Sequence, residues 1–256
     1  MSDAPAAPSS RISAAGWLAI ALRLLAMLAL LLLCAPLYYL WRLLRLPRFW
    51  PRVFLGGVGL IAGLEIKVEG RAHPSALLLS NHVSWLDIPA IAQATGSAFV
   101  AHSGLASVPL IRHLCSMNDT VFVDRHRRAS VARQVEQVRR AISEIGALTI
   151  FPEGTTGDGA ELLPFKTSLL SAAETLPMGV AVQPVYLDYT EAAEIAWVGD
   201  EPGADNFMRI LARLRPLRLT VHFLPPLEGA ALASRKTMAA AAEQAIRDAM
   251  SGSPRA

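Results

Sequence analysis

The sequence predicts an α/β domain with a largely parallel sheet flanked by helices, preceded by an N-terminal module of two membrane helices. Two observations predict this architecture. From residue 66 onward, short apolar runs alternate with amphipathic segments, as strands alternate with helices. Upstream, residues 24–41 form an uncharged apolar run that, as a helix, approaches the thickness of a bilayer core. We therefore divide the chain into a disordered tail (1–15), membrane-anchoring helices (16–64) and an α/β domain (65–256).

The composition favours membrane contact and argues against several other classes of protein. Hydrophobic residues make up 53% of the 256 residues and charged residues only 18%, whereas soluble domains are about a quarter charged. A net charge of +3 is too small to predict a nucleic-acid-binding protein. The two cysteines and six histidines show no metal-ligand spacing and no disulfide framework, so we expect no metal site.

The first apolar segment has the features of a membrane anchor rather than a cleaved signal. Three aromatic residues, Tyr38, Tyr39 and Trp41, stand at its C-terminal end, where interfacial aromatics are common. Four arginines follow within eleven positions (42, 45, 48 and 52), well placed to meet anionic lipid headgroups. A signal peptide would carry its cationic residues before a shorter apolar run. The positive-inside rule places these arginines, and the domain after them, in the cytoplasm.

A second apolar segment, residues 53–64, is too short to span a bilayer. It is typical of an interfacial or re-entrant helix. Two arrangements of the module stay open: the first helix spans the membrane, or both helices lie in one leaflet.

Seven strands and six helices are predicted in the α/β domain. The strands are expected at 66–70, 76–80, 98–101, 120–124, 147–151, 180–187 and 218–224. The clearest helix runs from Arg127 to Ile145, where apolar residues recur at helical spacing. Further helices are expected at 84–95, 105–115, 166–174, 203–213 and 233–250. Ligands of such sheets gather at the carboxyl ends of the strands.

The stretch "SNHVSWLD" (80–87) places a histidine at the end of a predicted strand. Asn81 and His82 follow the apolar run, and Asp87 comes five residues after the histidine. Two interpretations are open. Ser84 and Asp87 have the spacing of a helix capping box, which leaves Asn81 and His82 unexplained. Alternatively, Asp87 orients His82 as a general base.

Two later stretches also place polar residues at predicted strand ends. "VFVDR" ends in Arg125, which is able to bind phosphate through a bidentate fork, or is an ordinary solvated arginine. "FPEGTTGDG" (151–159) follows another strand, with glycines that free the backbone to turn its amides toward a ligand. It lacks the lysine of a P-loop. Lys166 is either a further cation near this loop or a solvated residue at a helix start.

Together these stretches resemble the glycerolipid acyltransferases typified by 1-acyl-glycerol-3-phosphate acyltransferase. "NHVSWLD" fits the family pattern N-H-x-x-x-x-D, "VFVDR" the second block, "FPEGT" the third, and "VAVQPVYLD" the apolar strand block with Pro184. The four blocks occur in the family's order, across about residues 65–228. The N-terminal pair of helices also matches the family's bacterial members, which implies an enzyme of a bacterial-type inner membrane.

The resemblance implies roles for the marked residues. His82 is the expected general base and Asp87 its partner, with Asn81 and Ser84 in support. The acceptor-binding residues it implies are Arg125, Glu153, Gly154, Thr155 and Lys166. The reaction that the resemblance implies moves a fatty acyl group from acyl-ACP or acyl-CoA, used as co-substrate without a cofactor, to the hydroxyl of a lysolipid.

Two departures from the family pattern bear on the acceptor. Thr156 stands where the third block often has a phosphate-binding arginine, and His102 replaces a common lysine. We expect lysophosphatidate as the acceptor, with lyso-ornithine lipid as the alternative because "FPEGTTGDG" and "LPFKTSLL" are similar to relatives that acylate it. A non-catalytic lipid-binding protein is the alternative from another class. A serine hydrolase is disfavoured because no G-x-S-x-G elbow is present.

Overall fold

A long apolar helix opens the part of the chain that the computed structural model describes, namely residues 12–102, 104, 109–123, 131–168, 170, 176 and 179–252. This helix, α1 (Ala14–Leu43), starts at Ser13, whose Oγ accepts the Gly16 N–H at 3.1 Å and caps the first turn. It therefore begins inside the segment predicted as a disordered tail, and residues 1–11 lie outside the described part. By length and composition, α1 is the one described helix able to cross a membrane.

A second helix, α2 (Trp50–Ala62), packs antiparallel to α1. Trp41 contacts Trp50 at one end of the pair, and Arg23 approaches Gly63 at the other. Gly63 ends α2 in the left-handed region, with φ 91°, which a glycine adopts without steric cost. The helix expected in the second apolar segment is thus present.

Apolar side chains cover much of the outer surface of α1. Eleven of the twenty-one large hydrophobic residues that are exposed in the described chain belong to this helix, among them Trp17, Leu25, Leu32 and Leu43. An exposed apolar surface of this kind is typical of contact with lipid. The exposed apolar surface of α1 therefore indicates that the chain associates with a membrane.

The described residues form a seven-stranded sheet. Its strands are β1 (Leu64–Gly70), β2 (Ala76–Ser80), β3 (Ala98–His102), β4 (Val121–Val123), β5 (Ala147–Ile150), β6 (Ala181–Tyr189) and β7 (Leu217–Phe223). They lie in the order β1-β7-β6-β2-β5-β3-β4. Each of the seven predicted strands is present, with ends that shift by at most two residues.

The sheet is largely parallel, as predicted, with one antiparallel junction. Strands β6, β2, β5, β3 and β4 all run in the same direction. Strands β1 and β7 are parallel to each other, and β7 pairs antiparallel with β6. The carboxyl ends of these five strands, β6 to β4 in the sheet order, therefore meet at one edge of the sheet. This edge carries the segments that follow β2 and β5.

Six further α-helices flank the sheet: α3 (Asp87–Thr95), α4 (Pro109–Met117), α5 (Val131–Ile145), α6 (Ala192–Ile195), α7 (Gly203–Leu211) and α8 (Arg235–Gly252). The prediction of a helix over 84–95 started too early, because residues 84–86 form a turn before α3. The short α6 was not predicted. For the helix predicted at 166–174, the described residues 167, 168 and 170 form a 3₁₀ turn, and positions 169 and 171–174 lie outside the described part.

The core has two layers, one on each face of the sheet. One layer contains Ile20 of α1, Ala62 of α2, Ile91 of α3 and Ile210 of α7. The other contains side chains of α5 and α8, including Ile142. Strand β2 has a buried side chain at every position and supplies both layers by alternation.

Arg23 joins the apolar helix α1 to the α/β domain. Its Nη1 donates hydrogen bonds to the Leu211 carbonyl at 2.9 Å and to the Arg213 carbonyl at 2.8 Å. Leu211 is the last residue of α7, where carbonyl groups lack intrahelical partners and attract a cation. Arg23 thus caps α7 from another element and fixes the position of α1.

Candidate active site

His82 and Asp87 form a hydrogen-bonded pair at the carboxyl edge of the sheet. His82 lies two residues after β2, and Asp87 is the first residue of α3. The distance from His82 Nδ1 to Asp87 Oδ2 is 2.7 Å. The Asp87 side chain is fully buried, and the His82 side chain is 19% exposed. The structure thus brings together the two residues that were predicted to be catalytic.

Asp87 is held by three further donors. Its Oδ2 accepts the backbone N–H groups of Val83 at 2.7 Å and of Ser84 at 3.0 Å. Its Oδ1 accepts the hydroxyl of Tyr189, at the end of β6, at 2.7 Å. A buried carboxylate loses the hydrogen bonds of water and needs such donors in their place. The network therefore fixes the position of Asp87 beside His82.

The capping-box interpretation of Ser84 and Asp87 holds only in part. The Asp87 carboxylate does accept the Ser84 N–H, as the reverse bond of a capping box would. The N-cap of α3, however, is Leu86 and has no side-chain cap. Ser84 Oγ accepts the Leu86 N–H at a long 3.4 Å. Ser84 is fully buried and shapes the turn between His82 and α3.

Asn81 joins the end of β2 to β6. Its Nδ2 donates to the Leu187 carbonyl at 3.1 Å, and its Oδ1 accepts the Leu187 N–H at 2.7 Å. The side-chain amide thus continues the pairing of the two strands by one position. This contact fixes the residue before His82 and explains why an asparagine occupies a buried site.

Glu153 connects the loop after β5 to the histidine. Its Oε1 accepts the His82 N–H at 2.7 Å, and its Oε2 accepts the Leu163 N–H at 3.1 Å. The residue is 2% exposed. Both oxygens therefore face the protein, and the contacts give Glu153 the role of holding the His82 loop. Its predicted contact with the acceptor stays a prediction.

Burial also changes the acidity of this carboxyl group. Desolvation raises the pKa of Glu153 to about 7. It outweighs the hydrogen bonds from the two backbone N–H groups, which lower the pKa. The negative charges of Asp87 and Asp158 raise the pKa further. Glu153 is thus a carboxyl group that changes charge near neutral pH.

The ring of His82 lies against Phe151, the residue that follows β5. The ring centroids are 4.1 Å apart and the planes differ by 16°. The Gly157 N–H also donates to the His82 carbonyl at 2.7 Å. Adjacent parallel strands thus bring the histidine stretch and the "FPEGTTGDG" loop into one unit.

Two of the other predicted acceptor-binding residues, Gly154 and Thr155, lie in this loop. Gly154 turns the chain with φ 69°, and the side chain of Thr155 is exposed. The backbone N–H of Lys166 donates to the Pro152 carbonyl at 2.8 Å, which places this exposed lysine beside the start of the loop. Arg125 lies outside the described residues.

The backbone of Trp197 contacts both the turn after His82 and the loop after β5. Its N–H donates to the Val83 carbonyl at 3.1 Å, and its carbonyl accepts the Thr156 hydroxyl. Sequence reasoning missed this residue because a backbone contact leaves no side-chain pattern. It also missed Tyr189, although "YLDY" places polar groups at the end of a predicted strand.

The known proteins that resemble this chain are acyltransferases. Residues 65–188 match the family model described as Acyltransferase. The lyso-ornithine lipid O-acyltransferase of Rhizobium meliloti is 34% identical, over 92% of this chain and 87% of the relative. The 1-acyl-sn-glycerol-3-phosphate acyltransferase of Neisseria meningitidis is 37% identical, over 52% of this chain and 53% of the relative.

The fold agrees with that of a solved structure, the 1-acyl-sn-glycerophosphate acyltransferase PlsC of Thermotoga maritima. The TM-score is 0.58 at 21% sequence identity, over 78% of this chain and 77% of the other. The α/β fold expected from the resemblance is therefore confirmed. The 34% identity to the Rhizobium enzyme along 92% of this chain shows that this protein is an enzyme of the acyltransferase family.

Proposed function

We propose that this enzyme transfers a fatty acyl group from a thioester to the free hydroxyl of a lysolipid. The observation that carries the proposal is the 2.7 Å hydrogen bond between His82 Nδ1 and Asp87 Oδ2. A carboxylate that accepts from Nδ1 keeps the proton on that nitrogen and leaves the lone pair on Nε2. Among the described residues, no protein group hydrogen-bonds Nε2 of His82. This nitrogen is the proposed general base.

The chemistry requires only the acceptor's own oxygen as nucleophile. Nε2 takes the proton of the lysolipid hydroxyl while the oxygen attacks the thioester carbonyl carbon. The C–S bond of the resulting tetrahedral intermediate then breaks. The imidazolium returns its proton to the departing sulfur, so an ester and a free thiol are formed. Asp87 stabilises the imidazolium between the two steps, as a carboxylate does in a hydrolase triad.

The acyl donor in this proposal is acyl-ACP or acyl-CoA. Both present the same thioester to His82, so the reacting groups do not distinguish them. We place the catalytic domain on the cytoplasmic side of a bacterial-type inner membrane, because the positive-inside rule assigns the four arginines after the apolar run to that side.

Lyso-ornithine lipid is the acceptor that we propose first. The Rhizobium relative, which is named for this substrate, aligns over 92% of the chain, whereas the Neisseria relative aligns over 52%. The Thr156 hydroxyl is directed to the Trp197 carbonyl, at the position where the family pattern often supplies an arginine to phosphate. An ornithine head carries an amine and a carboxylate and needs less positive charge than a phosphate does.

Lysophosphatidate, the acceptor favoured by the sequence, is the second candidate. The four-block pattern and the Neisseria relative support it. Lys166 lies beside the loop and offers one cation for its phosphate.

The test uses the purified full-length chain in detergent with one labelled acyl-ACP and, separately, the matching acyl-CoA. Each donor is offered with lyso-ornithine lipid, with lysophosphatidate or without acceptor. We expect the label to appear in ornithine lipid, and we expect His82→Ala to abolish the transfer. Label in phosphatidate alone would overturn the preferred acceptor, while release of free fatty acid without acceptor would indicate a hydrolase.

A non-catalytic lipid-binding protein gives a different result. It would bind vesicles that contain the lysolipid yet form no acylated product with either donor. The wild-type protein and His82→Ala would then behave alike in both measurements.

A further inference from the structure

We propose that Tyr189 is a positioning residue that sets the basicity of His82 through Asp87. The inference rests on the proposed acyl transfer and adds a third member to the pair that performs it. Tyr189 is the last residue of β6 and follows directly after the segment that matches the family model. It reaches the pair from a strand that carries neither of the two catalytic residues.

The geometry divides the donors of Asp87 between its two oxygens. Oδ2 accepts the bond from His82 and the two backbone bonds of the turn. Among the described residues, the only group that donates to Oδ1 is the Tyr189 hydroxyl, at 2.7 Å. Without this donor, one oxygen of a fully buried carboxylate would have no partner.

The phenol is a neutral donor at working pH. Tyr189 is 6% exposed. Burial, followed by the Asp87 carboxylate, raises the pKa of the phenol well above its ordinary value. A tyrosine used only for packing would need a partner for its buried hydroxyl, and any acceptor would serve. The partner here is the carboxylate that orients the general base.

This hydrogen bond reduces the negative charge that Asp87 offers to the imidazolium. Removal of the bond strengthens the attraction between the carboxylate and protonated His82, so the acidic limb of the pH–rate profile should move to higher pH. Among the described residues, the titratable groups around His82 are Asp87 of α3, Tyr189 of β6 and Glu153 of the loop after β5. Asp158 acts on Glu153 from the same loop. Of these described groups, Asp87 is the one that contacts both His82 and Tyr189.

The test compares Tyr189→Phe with the wild-type enzyme in the pH dependence of kcat/KM. The variant keeps the ring and loses the hydroxyl. We expect the acidic limb of the kcat/KM profile to move to higher pH by about half a unit or more. We also expect kcat to fall, with little change in KM for the lysolipid. Tyr186→Phe is the matched control, because the hydroxyl of this equally buried tyrosine of β6 donates to Asp188. Its acidic limb should stay in place.

Two further measurements separate positioning from packing, and one of them keeps a phenol at position 189. A 3-fluorotyrosine introduced at position 189 is a stronger donor, so its acidic limb should move down. In an Asp87→Asn background, Tyr189→Phe should change kcat/KM by less than about twofold, because the route through Asp87 is already lost.

An acidic limb that stays fixed in Tyr189→Phe and in the fluorotyrosine enzyme would overturn the inference. The acyl transfer by the wild-type enzyme would still stand in that case. Absence of transfer by the wild-type enzyme to any lysolipid would instead overturn the proposed function, so the two failures are distinguishable.

Discussion

The Glu153 carboxylate accepts the backbone N–H of His82 at 2.7 Å, across 71 positions of the sequence. This bond makes the loop after β5 a support for the loop that carries the proposed general base. The second oxygen of Glu153 accepts the Leu163 N–H, so the same side chain also closes its own loop. The stability of this unit should therefore depend on the charge of one buried carboxyl group.

The first prediction is that the protein loses stability as the pH rises toward neutrality. The pKa of Glu153 is about 7 in the folded protein, above the ordinary value of 4.5. Between these two values the folded state retains a proton that the unfolded state has lost, so the free energy of unfolding falls with rising pH. The whole change is on the order of 3 kcal/mol. Unfolding followed from pH 4.5 to 8 measures it.

The variant Glu153→Gln should remove this part of the pH dependence, because its side chain does not titrate. Glu161→Gln is the matched control, since Glu161 is an exposed residue in the same region. The assignment is wrong if Glu153→Gln keeps the full wild-type slope over this range.

The second prediction is that His82→Ala lowers turnover by orders of magnitude and leaves the fold intact. A general base contributes about 10²- to 10⁴-fold to the rate, and the loss should fall in this range. The side chain is 19% exposed and its ring packs on Phe151, so the cost in stability should be small. Acyl transfer and the melting temperature are measured on the same preparation.

The exposed His73, at the opposite end of β2, gives the matched control for this variant. His73→Ala should retain wild-type turnover. Transfer by a folded His82→Ala protein at a rate near that of His73→Ala would exclude His82 as the general base.

Much of the fold could be predicted because its signals are local. The apolar run of β2 and the helical period of α5 identify those elements without reference to the rest of the chain. The antiparallel junction between β6 and β7 has no such signal. It depends on which strand edges remain unpaired after the others have formed, which is a property of the whole sheet.

The candidate site also combines contacts within one local motif and contacts between distant parts of the sequence. His82 and Asp87 are five residues apart, so one motif contains both. Tyr189 contacts Asp87 across 102 positions, and its role depends on the alignment of β6 with β2. Contacts of this kind follow from the fold and not from any short pattern, so they were accessible only from the structure.

The third prediction concerns Arg23 and the attachment of α1. Arg23→Met keeps an unbranched side chain in place of the arginine's methylene stem but leaves the carbonyls of Leu211 and Arg213 without this donor. Loss of hydrogen bonds from a charged group should lower the free energy of unfolding by about 1 to 3 kcal/mol. Thermal unfolding in detergent measures the change.

Arg42→Met is the control for this prediction, because Arg42 lies on the same helix, is exposed, and donates to Tyr38 one turn before it. It should melt close to the wild-type temperature. Equal melting temperatures for the two variants would show that the Arg23 contacts do not stabilise the docking of α1.

The last prediction is that Thr156→Arg shifts the acceptor preference toward lysophosphatidate. Thr156 lies in the loop that holds His82, and its hydroxyl donates to the Trp197 carbonyl instead of offering a positive charge. A guanidinium at this position adds a fork able to bind phosphate through two charge-assisted hydrogen bonds. We expect the ratio of kcat/KM for lysophosphatidate to that for lyso-ornithine lipid to rise about tenfold, which corresponds to about 1.4 kcal/mol. The change should appear mainly as a lower KM for lysophosphatidate.

Thr156→Gln separates the effect of charge from the loss of the contact with Trp197. Glutamine also removes the threonine hydroxyl and has a long polar side chain, but it carries no charge. It should weaken activity on both acceptors alike, because the Trp197 contact joins the turn after His82 to the loop after β5 whichever lipid is bound. Competition between the two lysolipids at equal concentration, with one labelled acyl donor, gives the ratio directly. If arginine and glutamine change this ratio equally, position 156 does not select the acceptor through charge, and the head group must be recognised by other residues.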